Sequence, residues 1–169
     1  MLITLQKLGL HRVTVSKTYL PGALDYQEVK FRQVGPLTVK GEAELAGKEI
    51  RISGHVSARL ETACDRCLEQ VKLPVELDFD LPYRPMEEIA REEEVEVEED
   101  DLQVGFYSGE GLNLADVVRE QVVLSVPLKV VCRPDCLGLC PVCGVNRNVE
   151  PCSCSSQHGD SPFAILKKK

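Results

Sequence analysis

Between residues 49 and 64 apolar and polar side chains alternate: Ile50, Ile52, Val56, Ala58, Leu60, Thr62 and Cys64 share one parity, with Arg51, Ser53, His55, Ser57, Arg59 and Glu61 on the other. Successive strand residues point to opposite faces, so this pattern predicts a long strand with one buried face. After a turn over 65–70 the alternation resumes, with Val71, Leu73, Val75, Leu77, Phe79 and Leu81 interleaved by Lys72, Glu76, Asp78 and Asp80. Pro74 has no amide to donate to a ladder, which predicts an edge position or a bulge there. Upstream, Leu37, Val39, Ala43 and Leu45 alternate with Thr38, Lys40, Glu42 and Glu44, and Ala46-Gly47-Lys48 makes a turn into the long strand. Three such strands in succession predict an antiparallel meander with one apolar face. Val13 and Val15, then Val29 and Phe31, predict a further pair of strands on either side of Pro21-Gly22.

The pattern breaks at 86–101, an acidic stretch that buries little apolar surface and repels itself, and which reads as a disordered insert. Order resumes with a short strand over 102–107 and then a helix at about 114–126. Asn113 caps that helix, Asp116 sits near its positive end, and Leu114, Val117, Val118, Gln121, Val122 and Ser125 trace one face before Pro127 stops it. From Cys132 to Cys154 there are six cysteines in 23 residues, too little apolar content for a core without metal. At the C-terminus Ser161 and Pro162 start a short helix with Phe163, Ile165 and Leu166 as its apolar contacts. The expected fold is α+β: a mainly antiparallel β domain over 1–131 with one main helix, then a cysteine-rich segment over 132–169.

Composition adds limits. A length of 169 residues with 43% hydrophobic and 28% charged residues fits one globular domain or a domain with a small module. No apolar run approaches the roughly 20 residues of a membrane span, and the first residues lack the features of a secretory leader, so a cytoplasmic protein without a membrane partner is expected. The formal charge of -7 is concentrated, because residues 87–101 hold ten acidic residues against one arginine. Without that stretch 17 acidic and 19 basic residues remain, so bulk charge announces no nucleic-acid partner. With four Phe, four Tyr and no Trp, an aromatic platform for single strands is not supported.

The eight cysteines carry the chemistry: Cys64, Cys67, Cys132, Cys136, Cys140, Cys143, Cys152 and Cys154. In a reducing compartment they point to metal rather than disulfides. Cys64-Asp65-Arg66-Cys67 and Cys140-Pro141-Val142-Cys143 are C-x2-C pairs, a spacing that lets two thiolates on a tight turn grip one tetrahedral ion, and Gly144 supplies a free backbone beside the second pair. All-sulfur sets select zinc or iron over harder ions, and two structural Zn2+ are expected. The preferred partition sets Cys64, Cys67, Cys132 and Cys136 on one ion and Cys140, Cys143, Cys152 and Cys154 on the other. Its long-range loop costs about 4 kcal/mol to close, well below the roughly 10 to 16 kcal/mol apparent for a structural zinc. A rival partition groups Cys132, Cys136, Cys140 and Cys143, leaving Cys64, Cys67, Cys152 and Cys154; spacing does not choose between them.

Four segments together resemble a known family. They are Ala63-Cys64-Asp65-Arg66-Cys67-Leu68, then Leu114-Ala115-Asp116-Val117-Val118-Arg119-Glu120-Gln121, then Cys132-Arg133-Pro134-Asp135-Cys136-Leu137-Gly138-Leu139-Cys140-Pro141-Val142-Cys143-Gly144, and Ser161-Pro162-Phe163-Ala164-Ile165-Leu166. They resemble the YceD family of bacterial proteins and plastid relatives, from about Leu37 to the C-terminus. The resemblance implies a noncatalytic role in the accumulation of large-subunit ribosomal RNA, and so in ribosome biogenesis, with precursor RNA or a ribosomal protein as the partner.

On that reading the candidate nucleic-acid contacts are Arg66, Arg133, Arg147, Lys167, Lys168 and Lys169. The alternative is a zinc-thiol redox switch or holdase chaperone, in which oxidation of the cysteines releases the metal. No small-molecule substrate and no enzyme activity are expected. His11, His55 and His158 are scattered, no nucleophile triad or phosphate loop appears, and two sites of four cysteines leave no open metal position.

Overall fold

The computed structural model describes residues 1–27, 29–89 and 104–154. The chain divides into two compact units: Met1–Thr62 with Lys72–Leu128, and Ala63–Val71 with Lys129–Lys169. The predicted acidic insert falls mostly on 90–103 and the predicted C-terminal helix on 155–169, both outside the described residues.

The first unit is built on the predicted meander. Strands β4 (Leu37–Ala46), β5 (Glu49–Ala63) and β6 (Gln70–Pro85) are successive neighbours in one sheet, with β2 (Val13–Tyr19) beyond β4 and β7 (Gly105–Tyr107) beyond β6. β2 and β4 pair antiparallel, as do β4 and β5, which meet across the turn at Gly47 and Lys48. The β6–β7 pair is parallel and spans Tyr83 to Pro85, so Pro74 lies where β7 does not reach.

The strands on either side of Pro21-Gly22 do not pair with each other. β2 joins β4, while β3 (Phe31–Gln33) joins β5 at Leu60–Thr62. Alternation predicts that a segment is a strand but carries no information on its partner. β3 and β4 therefore share one edge of β5, and the register slips between them, from Gln33↔Leu60 to Thr38↔Ser57. Gln33, nearly buried, fixes this crossing: its Nε2 donates to Tyr19 O at 2.9 Å and Gly35 O at 2.7 Å, and its Oε1 accepts from Tyr26 Oη at 3.2 Å. A buried amide needs such partners.

The apolar parity of the strands forms the core. Val15, Leu37, Val39, Ile50, Ile52, Val56, Leu60, Val75 and Phe79 are buried together with Leu114, Val117, Val118 and Val122 of helix α3 (Leu114–Ser125). Gly54 interrupts the apolar parity of β5, where the backbone of Lys40 and Gly41 on β4, and then the Phe79 ring, take the space a side chain would need. As predicted, Asn113 caps α3, its side chain accepting from the Ala115 amide at 3.3 Å. The opposite face of the sheet is polar and tied by cross-strand pairs: Arg51 to Asp80, His55 to Glu76 and Asp78, and Arg12 to Glu44.

Four short elements have no counterpart in the sequence reading. β1 (Leu2–Thr4) pairs with β8 (Gly111–Asn113) in a separate two-stranded sheet that buries Ile3, and α1 (Leu5–Leu8) follows β1. Helix α2 (Met86–Ile89) occupies the start of the stretch expected to be an unstructured insert.

Candidate metal centres

The second unit begins where β5 ends. The tip between β5 and β6 turns tightly because the Cys64 amide donates to Glu69 O at 2.8 Å and the Leu68 amide to Cys64 O at 3.0 Å. Asp65 then clamps the incoming C-terminal segment: its amide donates to Val130 O at 2.8 Å, and its Oδ2 accepts from the Val130 amide at 2.6 Å. These bonds carry Cys132 and Cys136 to the tip.

The result is two groups of four thiols. The sulfurs of Cys64, Cys67, Cys132 and Cys136 lie within 4.8 Å of one another, and so do those of Cys140, Cys143, Cys152 and Cys154. In the first group Cys64 Sγ is 3.9 Å from Cys136 Sγ, and Cys67 Sγ is 3.6 Å from Cys132 Sγ. A disulfide would need about 2.0 Å. A tetrahedron with metal–sulfur bonds of about 2.3 Å has edges of about 3.8 Å, which these separations bracket. Both groups can coordinate a metal ion.

The two groups differ in exposure. Cys64, Cys67 and Cys136 are buried and Cys132 is half-buried, whereas in the second group Cys143 and Cys154 are exposed and only Cys140 is buried. Their turns are built alike. The Gly144 amide donates to Cys140 O at 2.9 Å as the Leu68 amide does to Cys64 O, and both residues are left-handed, with φ of 74° and 62°. Glycine adopts that conformation freely, and a leucine there is strained by about 1 kcal/mol.

Backbone amides face the sulfurs. Those of Arg66 and Cys132 donate to Cys64 Sγ at 3.4 and 3.3 Å, and that of Val142 to Cys140 Sγ at 3.5 Å. Burial pushes the Cys64 thiol up, but the amides of Arg66, Cys67 and Cys132 outweigh it and bring the thiol down to about 6. The amides of Cys143 and Val142 likewise lower Cys140 to about 6. The later protons of each group are held more tightly. Cys132 is pushed up to about 12 by burial and by the Cys136 sulfur, and Cys154 to about 11 by the Cys143 sulfur and burial. Neighbouring thiolates repel one another, and a divalent cation is what lets all four ionise together.

The basic residues singled out from sequence meet different fates. Arg66 Nη1 donates to Cys136 O at 2.9 Å and to Pro134 O at 3.5 Å, latching the tip to the segment between Cys132 and Cys136. Arg133 is engaged by Asp135 at 3.5 Å and by Asn148 Oδ1 at 2.9 Å. Arg147 is exposed, and Lys167, Lys168 and Lys169 lie outside the described residues.

One residue the sequence reading passed over touches a centre, and a second holds it in place. Asn148 Nδ2 donates to Cys136 Sγ at 3.4 Å, and Asn146 supports Asn148. The signal lay in Asn146-Arg147-Asn148: short polar side chains in a tight loop between metal-type cysteines favour local hydrogen bonds.

Residues 52–168 match the family described as Large ribosomal RNA subunit accumulation protein YceD, a stretch that takes in all eight cysteines. The chain belongs to the YceD family. It is 30% identical over 135 residues to the uncharacterized protein Rv2926c of Mycobacterium tuberculosis strain H37Rv, covering 78% of this chain and 61% of the relative. It is 22% identical over 105 residues to the uncharacterized protein YlbN of Bacillus subtilis, covering 62% of this chain and 56% of the relative. The YceD-family chain thus spans about three fifths of the length of these relatives. No solved structure matches it. The family match begins within β5, so the two cysteine groups fall inside it while β1 to β4 precede it.

Proposed function

We propose that this YceD-family chain is a noncatalytic ribosome-biogenesis factor of the cytoplasm, stiffened by two structural zinc ions, that supports accumulation of large-subunit ribosomal RNA. The family match over 52–168 carries this reading. The ligands are Cys64, Cys67, Cys132 and Cys136 for one ion and Cys140, Cys143, Cys152 and Cys154 for the other, and the sulfur geometry supports that assignment. Two filled sets of four thiolates leave no open coordination position for a substrate, which suits a scaffold rather than a catalyst. Among the described residues no helix is long and apolar enough to cross a membrane.

The partner is precursor ribosomal RNA or a ribosomal protein. Arg66 and Arg133 serve first as latches within the cysteine-rich segment 132–169 and the hairpin tip. The exposed Arg147 and the lysine tail are proposed to meet phosphate or an acidic side chain.

Gradient sedimentation of the protein with ribosomal precursors at low and high salt, followed by crosslinking and RNA recovery, tests the reading. Migration with large-subunit precursors is the expected result. RNA crosslinks would name RNA as the partner, and migration without them a ribosomal protein. A protein that stays at the top of the gradient without RNA would overturn it and leave a free protein partner or the redox switch, a second reading for which Cys143 and Cys154 are exposed to oxidants.

A further inference from the structure

The second cysteine group closes a loop whose side chains act on the first group. Residues 144–151 lie between Cys143 and Cys152, so a metal held by those two thiolates would pin both ends of the stretch. From its middle Asn148 reaches out of its own centre, placing Nδ2 at 3.4 Å from Cys136 Sγ and 2.8 Å from Asn146 Oδ1. Its Oδ1 accepts from the Leu137 amide at 2.8 Å and from Arg133 Nη2 at 2.9 Å. Two N–H donors converge on that oxygen, so one orientation of the carboxamide satisfies the site, and it turns the NH2 group toward the sulfur.

Asn146 is fixed in turn. Its Oδ1 accepts from the Asn148 amide at 3.0 Å, and its Nδ2 donates to Glu69 Oε1 at 2.9 Å on the hairpin tip. The backbone follows the same route: Arg147 N donates to Gly138 O at 3.0 Å, and Leu139 N to Arg66 O at 2.9 Å. The loop of one centre is therefore hydrogen-bonded to a ligand of the other and to the turn that carries two more.

We infer that Asn148 is a positioning residue through which the exposed centre holds the metal of the buried centre. This rests on the proposal that both centres bind metal. An N–H aimed at a ligating sulfur offsets its charge and fixes its direction, and outer partners of this kind are worth about 10–100-fold in metal affinity. Loss of the ion at Cys140, Cys143, Cys152 and Cys154 frees residues 144–151, withdraws Asn148 from Cys136, and speeds loss of the ion at Cys64, Cys67, Cys132 and Cys136. Linkage makes the coupling mutual: the buried ion strengthens the exposed one by the same factor.

The test uses the full chain loaded with zinc, with ions counted by native mass spectrometry and their exchange for a heavier zinc isotope followed in time, in free zinc that keeps both centres filled. The parent protein is expected to hold two ions and exchange them in a fast and a slow phase. The double variant Cys143→Ser/Cys154→Ser is expected to hold one ion and to exchange it at least about 10-fold faster than the parent's slow phase. Asn148→Ala is expected to keep both ions while its slow phase quickens by about 10–100-fold. Should that variant fold poorly, Asn148→Asp keeps the size and the acceptor oxygen but loses the N–H donor. Its slow phase is expected to quicken as well, with a shifted cadmium NMR signal for the buried centre after metal exchange. A slow phase unchanged in both the double cysteine variant and Asn148→Asp overturns the coupling while leaving metal binding intact. A parent protein that binds no metal overturns metal binding itself, and the coupling with it.

Discussion

The first unit buries Leu37, Ile50, Val56, Leu60, Val118 and Val122 to 0% exposure in one continuous apolar cluster. The second unit's corresponding cluster consists of Cys64, Cys67 and Cys136, with Val71, Val131 and Cys132 packed against it. The ordering cost per residue is of similar size in both, roughly 1–2 kcal/mol for the backbone alone. Among the described residues, the first unit has the larger apolar cluster to offset it at about 25 cal/mol per Å². The second unit instead gathers thiols that would repel one another once ionised, and on the proposed reading bound cations neutralise them. Two units of one chain therefore respond to different perturbations.

Metal removal should widen that difference most strongly. With zinc bound at both centres, chelation withdraws an apparent stabilisation of roughly 10–16 kcal/mol per site, far more than the packing of Val71 and Val131 against Cys64, Cys67 and Cys136 returns. Hydrogen exchange should then show amides such as Cys64, Leu68, Cys136, Leu139 and Cys140 losing protection in chelator. Amides of β4 and β5 paired between Thr38 and Ser57 should stay protected. Equal protection of both sets with and without chelator would mean that the second unit is held by something other than metal.

The complementary perturbation is Leu60→Ala. Leu60 is fully buried in the first unit, and removing three carbons from such a site costs about 2–5 kcal/mol. Urea unfolding of the first unit should shift by that amount, while the number of bound ions under native conditions stays at two. Loss of an ion in this variant would show that the two units are not separable in stability.

How much of this was legible follows the same division. The parity of Ile50, Ile52, Val56 and Leu60 and the face of Leu114, Val117, Val118 and Val122 are repeated patterns, and β5 and α3 formed where those patterns lie. Two C-x2-C pairs were equally plain. A three-residue strand such as Leu2–Thr4 is too short to carry a period, and its partner lies more than a hundred residues away at Gly111–Asn113. The parallel approach of β7 to Tyr83–Pro85 is likewise a choice of partner rather than of conformation. Around the metal centres the thiols announce themselves by type, whereas Asn146 and Asn148 act by position, and only the folded loop brings them to Glu69 and Cys136.

The smallest effect belongs to the polar face of the first unit, where His55 on β5 lies between two carboxylates of β6. Its Nδ1 is 2.8 Å from Asp78 Oδ1 and its Nε2 2.9 Å from Glu76 Oε2, while Lys40 is its register partner on β4. Hydrogen bonds to Asp78 and then to Glu76 raise the imidazole above its ordinary value. A group raised on folding contributes stability that is full below its unfolded value of about 6.5 and is lost as pH rises through the folded one. Glu76 runs the other way: Ser57, then His55, lower its carboxyl, so its share is present above the ordinary carboxylate range and fades on acidification. The cluster is therefore worth most in the window between those two losses. These groups are exposed, so salt screens them and the effect is a fraction of the Leu60→Ala shift. Replacing His55→Gln should lower the urea midpoint of the first unit more at about pH 5.5 than at about pH 8, with the gap narrowing in high salt. The same loss at both pH values would mean that His55 contributes through packing on the strand face rather than through its charge.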